Sequence, residues 1–389
     1  MNTVFEPATA AEAGHWLRDR LTAGRPFAIR GAGTRSRPAQ GPVISTLNLR
    51  AERFFHPADM VVGVEAGTRW QDFQARLAEA GMTVPVNPWF RGATVGGLLA
   101  ANDFGPDRLE RGGLRDYIIG IEYLDGLARK VKAGGRVVKN VTGYDLGKMM
   151  LGSLGGLGLI TAVNFKTVPL PREPAVFLDR GPLRRWLESL RALHSARLPI
   201  DWLQLVRRSG DWMLGIGFSG NPLRRRRLEH ELRHLPAVTG ACLPEADLSG
   251  EAAVFSTQSR FGGFLTPYVA ELGPDCVHVH GIFPTAVMLD PSRLDFFDAL
   301  PAYCILHPIG GDVHLFFSAD GEAALLLARI FQHFEGLPGY LVLERAPETL
   351  RREFAYVKPL PAAYALMQRL KRKLDPHGLF QAPFYELTP

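Results

Sequence analysis

Several features are scarce in this 389-residue chain, and each scarcity excludes a class of protein. Only three cysteines occur, Cys242, Cys276 and Cys304, which is too few for a four-cysteine iron–sulfur site and fits a reducing compartment. No apolar run approaches the roughly 20 residues that a membrane-spanning helix needs. The N-terminus, MNTVFEPATAAEAGHW, lacks a basic stretch followed by an apolar core. We therefore expect no signal peptide and a cytoplasmic protein.

The composition is otherwise that of a globular protein, with 46% hydrophobic and 22% charged residues. At roughly 100–200 residues per domain, the length predicts two or three domains. Much of the net charge of +6 lies in two basic runs, Arg224–Arg227 and Arg369–Lys373. Such runs could meet nucleic acid, an anionic membrane or a partner protein. Because no aromatic residues interleave with them, we interpret both as solvated helix faces and expect no nucleic-acid partner.

Glycine is abundant, and three glycine-rich segments stand out. The first is RGAGTRSRP, Arg30–Pro38, directly after the predicted strand FAIR. It departs from the dinucleotide pattern G-x-G-x-x-G, because Ser36 takes the place of the third glycine and no helix follows promptly. Successive main-chain N–H groups in such a turn form a nest for pyrophosphate oxygens, to which Arg30 or Arg35 could add a charge. An ordinary glycine turn is the alternative.

The second segment, RGATVGGLLAAN, predicts a helix that begins at Gly96–Gly97. Thr94 is placed to cap this helix, and further N–H groups of its first turn would be directed at an anion.

The third segment is GGRVVKNVTGYDLGKMMLGSLGGLGLIT, Gly134–Thr161. Tyr144 and Asp145 would start a helix, and the following glycines give a bare backbone path into a strand. A flat heteroaromatic ring could lie against this path, whereas tight helix–strand packing is the alternative. Three such segments in one amino-terminal region favour a large phosphate-bearing cofactor.

A change of pattern at PLPREP, Pro169–Pro174, marks a domain boundary. The segments from AVFLD to AVTGACL and from CVHVHGIF to GYLVLE each follow the order β-α-β-β-α-β, with an irregular insert at residues 243–275 between them. Two split βαβ units in tandem predict an antiparallel sheet with helices on one face. We expect an α+β fold with domains at 1–172, 173–346 and 347–389.

The order RGAGT, ATVGGLLAAN, GGRVVKNVTGYDL and LDPHGLFQAPF resembles the vanillyl-alcohol-oxidase (PCMH) type of FAD-binding protein. Within that family, GPDRLERGGLRDYIIG resembles the FAD-binding subunits of bacterial glycolate oxidases. The resemblance is strong over about residues 7–172 and returns at Asp375–Phe384. It implies a PCMH-type FAD-binding domain, an antiparallel-sheet cap of two ferredoxin-like units, and a C-terminal segment that returns to the FAD domain.

The resemblance also implies the cofactor contacts. Members with covalent flavin often carry His in the first segment, where this chain has Thr34, so non-covalent FAD is expected. By position, the implied cofactor-binding residues are Arg30, Gly31, Ala32, Gly33, Thr34, Arg35, Thr94, Gly96, Gly97, Arg115, Tyr144, Asp145, Gly158 and Ile160.

Two histidines, His307 and His314 in HPIGGDVH, are the candidate catalytic residues. Related D-2-hydroxy-acid dehydrogenases carry H-x-G-D-G-N-x-H as a metal-linked site. This chain departs from it at Ile309, Gly310 and Asp312, so we predict no metal, with a metal site as the alternative.

A second pair of histidines, His278 and His280, is spaced i, i+2 on a predicted strand, so both side chains face one side of the sheet. This spacing could provide metal ligands. We interpret the pair instead as part of a half-exposed sheet face.

Flavin carries out hydride and electron transfer itself, and the protein supplies position and electrostatics. We predict an FAD-dependent oxidoreductase, the FAD-binding subunit of a glycolate-oxidase-type 2-hydroxy-acid dehydrogenase complex. The resemblance implies a second FAD subunit and an iron–sulfur subunit as partners, in the cytoplasm or at the inner face of the membrane through the complex. A stand-alone FAD-dependent hydroxy-acid dehydrogenase and a non-catalytic flavoprotein assembly subunit are the alternatives.

Overall fold

The computed structural model describes residues 3–35, 41–137, 146–208, 210–249, 252–253, 255, 265–273, 275–354, 357–360 and 362–382. Within those residues, helices and strands alternate along the whole chain and the strands form four sheets. No helix in this described part of the chain is long and apolar enough to cross a membrane.

The amino-terminal part contains, in chain order, β1 (Val4–Phe5), α1 (Ala10–Ala23), β2 (Phe27–Arg30), β3 (Val43–Ser45), β4 (Glu52–His56), β5 (Val61–Glu65), α2 (Trp70–Glu79), β6 (Met82–Thr83), α3 (Val95–Ala101), α4 (Arg108–Arg111), α5 (Leu114–Tyr117), β7 (Ile118–Leu124), β8 (Lys130–Gly134), α6 (Leu146–Met150), β9 (Leu159–Lys166) and β10 (Val168–Pro169). The chain continues with β11 (Ala175–Gly181), α7 (Leu187–Ala196), β12 (Trp202–Arg207), β13 (Trp212–Phe218), α8 (Pro222–Arg233), β14 (Ala241–Pro244), α9 (Thr266–Leu272), β15 (Val277–Ile282), α10 (Thr285–Met288), α11 (Pro291–Asp298), β16 (Tyr303–His307), β17 (Asp312–Phe317), α12 (Ala323–His333), β18 (Tyr340–Arg345), α13 (Glu348–Glu353), β19 (Val357–Lys358), α14 (Tyr364–Leu374) and β20 (Phe380–Gln381).

Local sequence provides the side-chain cap at the start of α1 but not at the start of α2. Helix α1 begins after Thr9, whose Oγ1 accepts a hydrogen bond from the N–H of Glu12 at 3.2 Å. Thr68 and Gln71 have the T-x-x-Q spacing of a capping box, but α2 begins at Trp70 without a side-chain cap. The main-chain carbonyl of Thr68 instead accepts a hydrogen bond from the N–H of Val95 at 2.9 Å. A tertiary contact between the starts of α2 and α3 therefore replaces the local cap.

Two sheets organise the amino-terminal part. One is antiparallel, with the strand order β4-β5-β9-β7-β8, and the other is parallel, with the order β1-β3-β2-β20. Strand β20 comes from the far end of the chain, and its Phe380 pairs with Phe27. Buried Asp375 secures this return, because its carboxylate accepts hydrogen bonds from the N–H groups of Leu379 and Phe380, both at 2.9 Å.

The remaining large sheet is antiparallel and nine-stranded, in the order β14-β11-β13-β12-β16-β17-β15-β18-β19. Its two halves meet where β12 pairs with β16. In the first half, β11 lies between β14 and β13, and β13 lies between β11 and β12. The second half repeats this order, with β15 between β18 and β17, and β17 between β15 and β16. Strand β14 and helix α9 lie in the segment 241–275, where the sequence predicts an irregular insert from residue 243.

The nine-stranded sheet has two different faces. Helices α7, α8, α11 and α12 cover one face and bury its aliphatic and aromatic side chains in the largest apolar cluster. The opposite face packs on Trp89 and Phe90 of the amino-terminal part, which contact side chains that include Ile305 and Phe316. We refer to this sheet with its helices as the cap. The amino-terminal part and the segment 241–275, with Phe255, Leu265 and Tyr268, together cover the second face of the cap.

Candidate functional site

A row of polar side chains lies on the cap face that meets the amino-terminal part. Successive residues of a strand point to opposite faces, so residues spaced by two emerge on the same side. We call these six side chains the polar row: His278 and His280 of β15, His307 of β16, Asp312 and His314 of β17, and Glu344 of β18.

Five members of the polar row are buried and Glu344 is partly buried, although all six are ionisable. His278 and His314 are fully buried, and His280 is 5% exposed. The interpretation of His278 and His280 as part of a half-exposed sheet face is therefore wrong. Trp89 and Phe90 cover this face of the sheet, and the sequence pattern of the strands alone does not show that cover.

Hydrogen bonds and ring stacking connect the row. His280 lies between two carboxylates, with its Nε2 atom 3.1 Å from Asp312 Oδ1 and its Nδ1 atom 3.5 Å from Glu344 Oε1. His278 Nε2 lies 3.1 Å from His314 Nδ1. The rings of His280 and His314 stack with their centroids 4.3 Å apart. The four histidines and two carboxylates thus form one buried cluster.

Three of the histidines are neutral at pH 7. Burial lowers the pKa of His278 and of His314 well below the usual range, because a charged imidazole loses its hydration there. Burial also lowers the pKa of His307 to about 4. A neutral imidazole can accept a proton, so each of these rings is in the form that a general base requires.

His280 has the opposite behaviour. Burial alone would lower its pKa, but the hydrogen bonds and negative charges of Asp312 and Glu344 outweigh that effect and raise the pKa of His280. Burial likewise favours protonated Glu344, yet the charge of Arg35 and the bond to His280 hold the pKa of that carboxyl far below its usual range. The row therefore contains one stable carboxylate–imidazolium contact.

The amino-terminal part supplies two arginines that balance the carboxylates. The Arg35 guanidinium pairs with Glu344 and lies 3.8 Å from Asp103. The Arg108 guanidinium lies 3.0 Å from Asp312 Oδ2 and also donates to the carbonyl of Gly310. Each end of the row is thus joined by an ion pair to the amino-terminal part.

A narrow cleft opens beside Arg108. Its polar lining is Arg108, His307 and Asp312, and the rest of the lining is apolar or main chain, from Gly105, Pro106, Leu109, Leu203 and Gly310. A guanidinium can bind a carboxylate, and a neutral imidazole can take a proton from a hydroxyl group. The cleft therefore combines the two functions that a small hydroxy acid needs.

Metal ligation is also geometrically possible in the row. One ligand atom from each of His280, Asp312 and His314 lies within 4.8 Å of the others. His307, one of the two histidines singled out by sequence, is not part of this group. Its ring lies 4.9 Å from the Trp89 ring. A metal would need neutral His280, whereas the raised pKa favours the protonated ring.

The first glycine segment carries main-chain N–H groups without acceptors, as an anion nest would. Among the described residues, the N–H groups of Gly31, Ala32, Gly33 and Thr34 have no hydrogen-bond acceptor. A Cβ atom at Gly31 would lie 2.3 Å from Thr94 Oγ1, so only glycine permits this approach of the two loops. Unpaired N–H groups beside bare backbone fit the diphosphate of FAD.

The second glycine segment differs from the prediction. The N–H groups of Val95 and Gly96 donate to the carbonyls of Thr68 and Ala66, at 2.9 and 2.7 Å. The N–H of Gly97 donates to Thr94 Oγ1 at 3.2 Å. Thr94 caps α3 as expected, but the first turn has no N–H group left for an anion, because these loops are bonded to each other.

The third segment fits both of the alternatives considered from sequence. A Cβ atom at Gly158 would lie 2.8 Å from the carbonyl of Leu124, which is tight packing between strands. Ser153, by contrast, is buried, and its Oγ has no partner among the described residues, so a ligand group could satisfy it. Ile160 is buried in β9.

The other predicted contacts lie elsewhere. Arg30 ends β2 and is half-buried, and Arg115 is exposed on α5. Tyr144 and Asp145 lie outside the described residues.

Sequence reasoning missed several residues that complete the site, namely Trp89, Asp103, Arg108 and Glu344. Glu344 is the last residue of the segment GYLVLE. From sequence alone it is interpreted as the polar end of an apolar strand. Its role depends on β18 lying beside β15, a pairing that no local pattern encodes.

Replacing His307 with Gln should make folding less sensitive to acid. The pKa of His307 is about 4 in the fold and about 6.5 in an unfolded chain. The unfolded chain therefore binds more protons as the pH falls, and this group alone removes about 2 kcal/mol of stability between pH 7 and pH 5. Urea denaturation of both proteins at the two pH values measures the difference.

The matched control is His15→Gln, since His15 is exposed on α1. That variant should keep the acid sensitivity of the natural chain. An unchanged pH dependence in His307→Gln would show that this ring is not held neutral by burial.

Comparisons with known proteins agree with the geometry of the first loop. A family model described as FAD binding domain matches residues 1–134. The chain is 36% identical over 186 residues to glycolate oxidase subunit GlcE of Escherichia coli, an alignment that covers 46% of this chain and 52% of that protein. It is 31% identical over 145 residues to the mitochondrial D-lactate dehydrogenase [cytochrome] of Arabidopsis thaliana, covering 37% and 25%.

The chain thus spans about half or less of the length of these two relatives. A longer match at 23% identity, to D-2-hydroxyglutarate dehydrogenase of Xanthomonas citri pv. viticola, covers 87% of this chain and 78% of that protein. The family match and the free N–H groups of the first loop lead to one conclusion. The amino-terminal part of this chain is an FAD-binding domain of the PCMH type, and FAD is its cofactor.

Proposed function

We propose that this chain is the FAD-binding subunit of a glycolate-oxidase-type dehydrogenase complex that oxidises a small 2-hydroxy acid. The observation that carries the proposal is the polar row, buried where the cap meets the FAD-binding domain. Arg108 and neutral His307 line one cleft there, as a cation and a base must for this reaction. The likeness to GlcE and to D-2-hydroxyglutarate dehydrogenase supports the same substrate class.

The roles of the residues follow from their charges. FAD supplies the two-electron acceptor. His307 takes the hydroxyl proton of the substrate at its Nε2 atom. Arg108 binds the substrate carboxylate by exchanging its ion pair with Asp312, and Asp312 keeps His280 as its partner after that exchange. His314 stays neutral and packs against Trp89, so that no unpaired charge is buried beside the substrate.

We propose that FAD is held without a covalent bond, mainly by the main chain of the first loop. The contacts are those implied by the resemblance: Arg30, Gly31, Ala32, Gly33, Thr34, Arg35, Thr94, Gly96, Gly97, Arg115, Tyr144, Asp145, Gly158 and Ile160. Because the N–H groups at the start of α3 are already bonded, Gly96 and Gly97 would contribute close backbone approach rather than hydrogen bonds.

We further propose the division of the chain into an FAD-binding domain at 1–172, a cap at 173–346 and a returning segment at 347–389. The pairing of β20 with β2 supports the third of these. The repeated strand order in the two halves of the cap supports the interpretation of each half as a ferredoxin-like, split βαβ unit.

The electrons need an acceptor beyond FAD, and three cysteines are too few for a four-cysteine iron–sulfur cluster in this chain. We therefore propose an iron–sulfur subunit and a second FAD subunit as partners, in the cytoplasm or at the inner face of the membrane. In the chain alone, Arg35 and Arg108 are already paired with carboxylates, so we expect the site to open to substrate only in the complex.

We also propose that the polar row works without a metal ion. His280 already donates to Asp312 and Glu344, and its protonated form is favoured there. A cation would have to displace that proton and one of these bonds.

Gly97→Val should abolish FAD retention while the chain stays folded. A Cβ atom at Gly97 meets only Thr94 Oγ1, at 3.1 Å, so the valine methyl groups would project into the space beside the first loop. The matched control is Gly321→Val in the cap, where an added Cβ atom meets nothing within 4 Å. Flavin absorbance per chain measures the result. Normal flavin occupancy in Gly97→Val would place the diphosphate elsewhere.

The purified chain alone should be yellow, and its flavin absorbance should not bleach when glycolate or D-lactate is added without oxygen. A subunit that depends on its partners would give this result. Bleaching would instead support a stand-alone hydroxy-acid dehydrogenase. A colourless chain that takes up no FAD would support a non-catalytic assembly subunit.

Metal analysis of the dialysed chain should find no stoichiometric zinc or manganese, and equimolar Zn²⁺ should leave the thermal midpoint unchanged. His280→Asn removes both the proton that would compete with a metal ion and one potential metal ligand. This variant should also bind no metal. One zinc per chain that survives dialysis would contradict a metal-free row.

A further inference from the structure

Strand β18 touches the first glycine loop with two consecutive residues. Arg345 donates from Nη2 to the main-chain carbonyl of Thr34 at 3.1 Å. The preceding residue, Glu344, pairs with the guanidinium of Arg35. Two neighbours in the cap thus hold two neighbours in the FAD loop, across a separation of 309 and 311 residues.

A β-bulge makes this double contact possible. In a regular strand, the side chains of Glu344 and Arg345 would point to opposite faces of the sheet. The pairing of β18 with β15 is irregular here: His278 pairs with Arg345 and Val279 with Leu343, which leaves Glu344 as the extra residue. Bulges redirect side chains and are frequent next to functional sites. This one directs both side chains toward the FAD-binding domain.

The contact fixes the orientation of a peptide plane in the loop. In a trans peptide the carbonyl and the following N–H point in opposite directions. When Arg345 holds the Thr34 carbonyl, the N–H of Arg35 is turned away from the cap. The neighbouring N–H groups, from Gly31 to Thr34, are those without acceptors among the described residues. The cap therefore fixes the end of the loop that carries these donors.

The charge of Arg345 favours a diphosphate, whereas Glu344 contributes by holding Arg35 in position. Arg345 places a cation beside a loop that receives a diphosphate, and Glu344 offsets the charge of Arg35. Glu344 also lies 3.5 Å from His280, so the loop and the polar row share one carboxylate.

We propose that Glu344 and Arg345 are positioning residues for FAD: through the bulge in β18, the cap holds the first glycine loop in the shape that binds the cofactor diphosphate. The domain that carries the glycine loops is then not sufficient by itself for full FAD affinity. The inference rests on FAD binding and not on the identity of the substrate, so its test needs no turnover.

The test compares FAD binding by the full chain, freed of flavin, in four forms: natural, Arg345→Ala, Arg345→Lys and Arg329→Ala. Arg329 is exposed on α12 and controls for the loss of one positive charge. We expect Arg345→Ala to weaken FAD about tenfold, which corresponds to about 1.4 kcal/mol, by fluorescence titration. Lysine should restore part of the affinity, and Arg329→Ala should bind as the natural chain does.

Adenosine diphosphate is the second probe, because it carries the diphosphate without the flavin. Its affinity should fall by the same factor in Arg345→Ala. If FAD binding weakens but adenosine diphosphate binding does not, the residue acts elsewhere than on the nest, and the proposal is overturned. The proposal is also overturned if folded Arg345→Ala binds FAD with normal affinity, or if Arg329→Ala loses as much FAD affinity as Arg345→Ala does.

Circular dichroism checks that each variant is folded. Should Arg345→Ala not fold, Glu344→Gln decides the matter, since it keeps the size of the side chain and removes only its charge. We expect a roughly threefold loss of FAD affinity in that variant. Unchanged affinity would overturn the proposal.

Discussion

Several ion pairs join the cap to the FAD-binding domain: Arg111 pairs with Asp201, and two more pairs lie at the polar row, Arg35 with Glu344 and Arg108 with Asp312. Charges buried at an interface are costly unless each has a partner of opposite sign in good geometry. His280 joins the two carboxylates, so both pairs belong to one network. His280 and Asp103 give Glu344, Asp312 and Arg35 a second partner each, so the loss of one ion pair does not leave these charges alone. The network thus contributes to holding the two parts together.

The packing of the amino-terminal part against the cap also controls the protonation of the histidines in the polar row. Once Trp89 and Phe90 cover the sheet face, the imidazoles of His278, His307 and His314 lose water and become neutral. Only His280, held between carboxylates, has a raised pKa. A single buried surface therefore contains three imidazoles whose pKa is lowered and one whose pKa is raised. Four identical side chains acquire two different roles from their neighbours alone.

The glycine segments serve two separate purposes. Gly31 and Gly158 are glycine because a Cβ atom would collide with Thr94 and with the carbonyl of Leu124. The N–H groups of Gly31 to Thr34 have no acceptor among the described residues. Close packing among loops and strands thus occurs next to one loop whose donors are unpaired.

The sequence by itself determined many of the elements and the positions of the glycine-rich loops. Thr9 caps α1, the order β-α-β-β-α-β recurs in the cap, and RGAGT follows a strand, because capping, side-chain periodicity and glycine turns act over a few residues. Only the tertiary structure decided that Thr68 does not cap α2, that His278 and His280 are buried, and that Glu344 meets Arg35. Burial and ion pairing depend on segments some three hundred residues apart, and no local pattern carries that information.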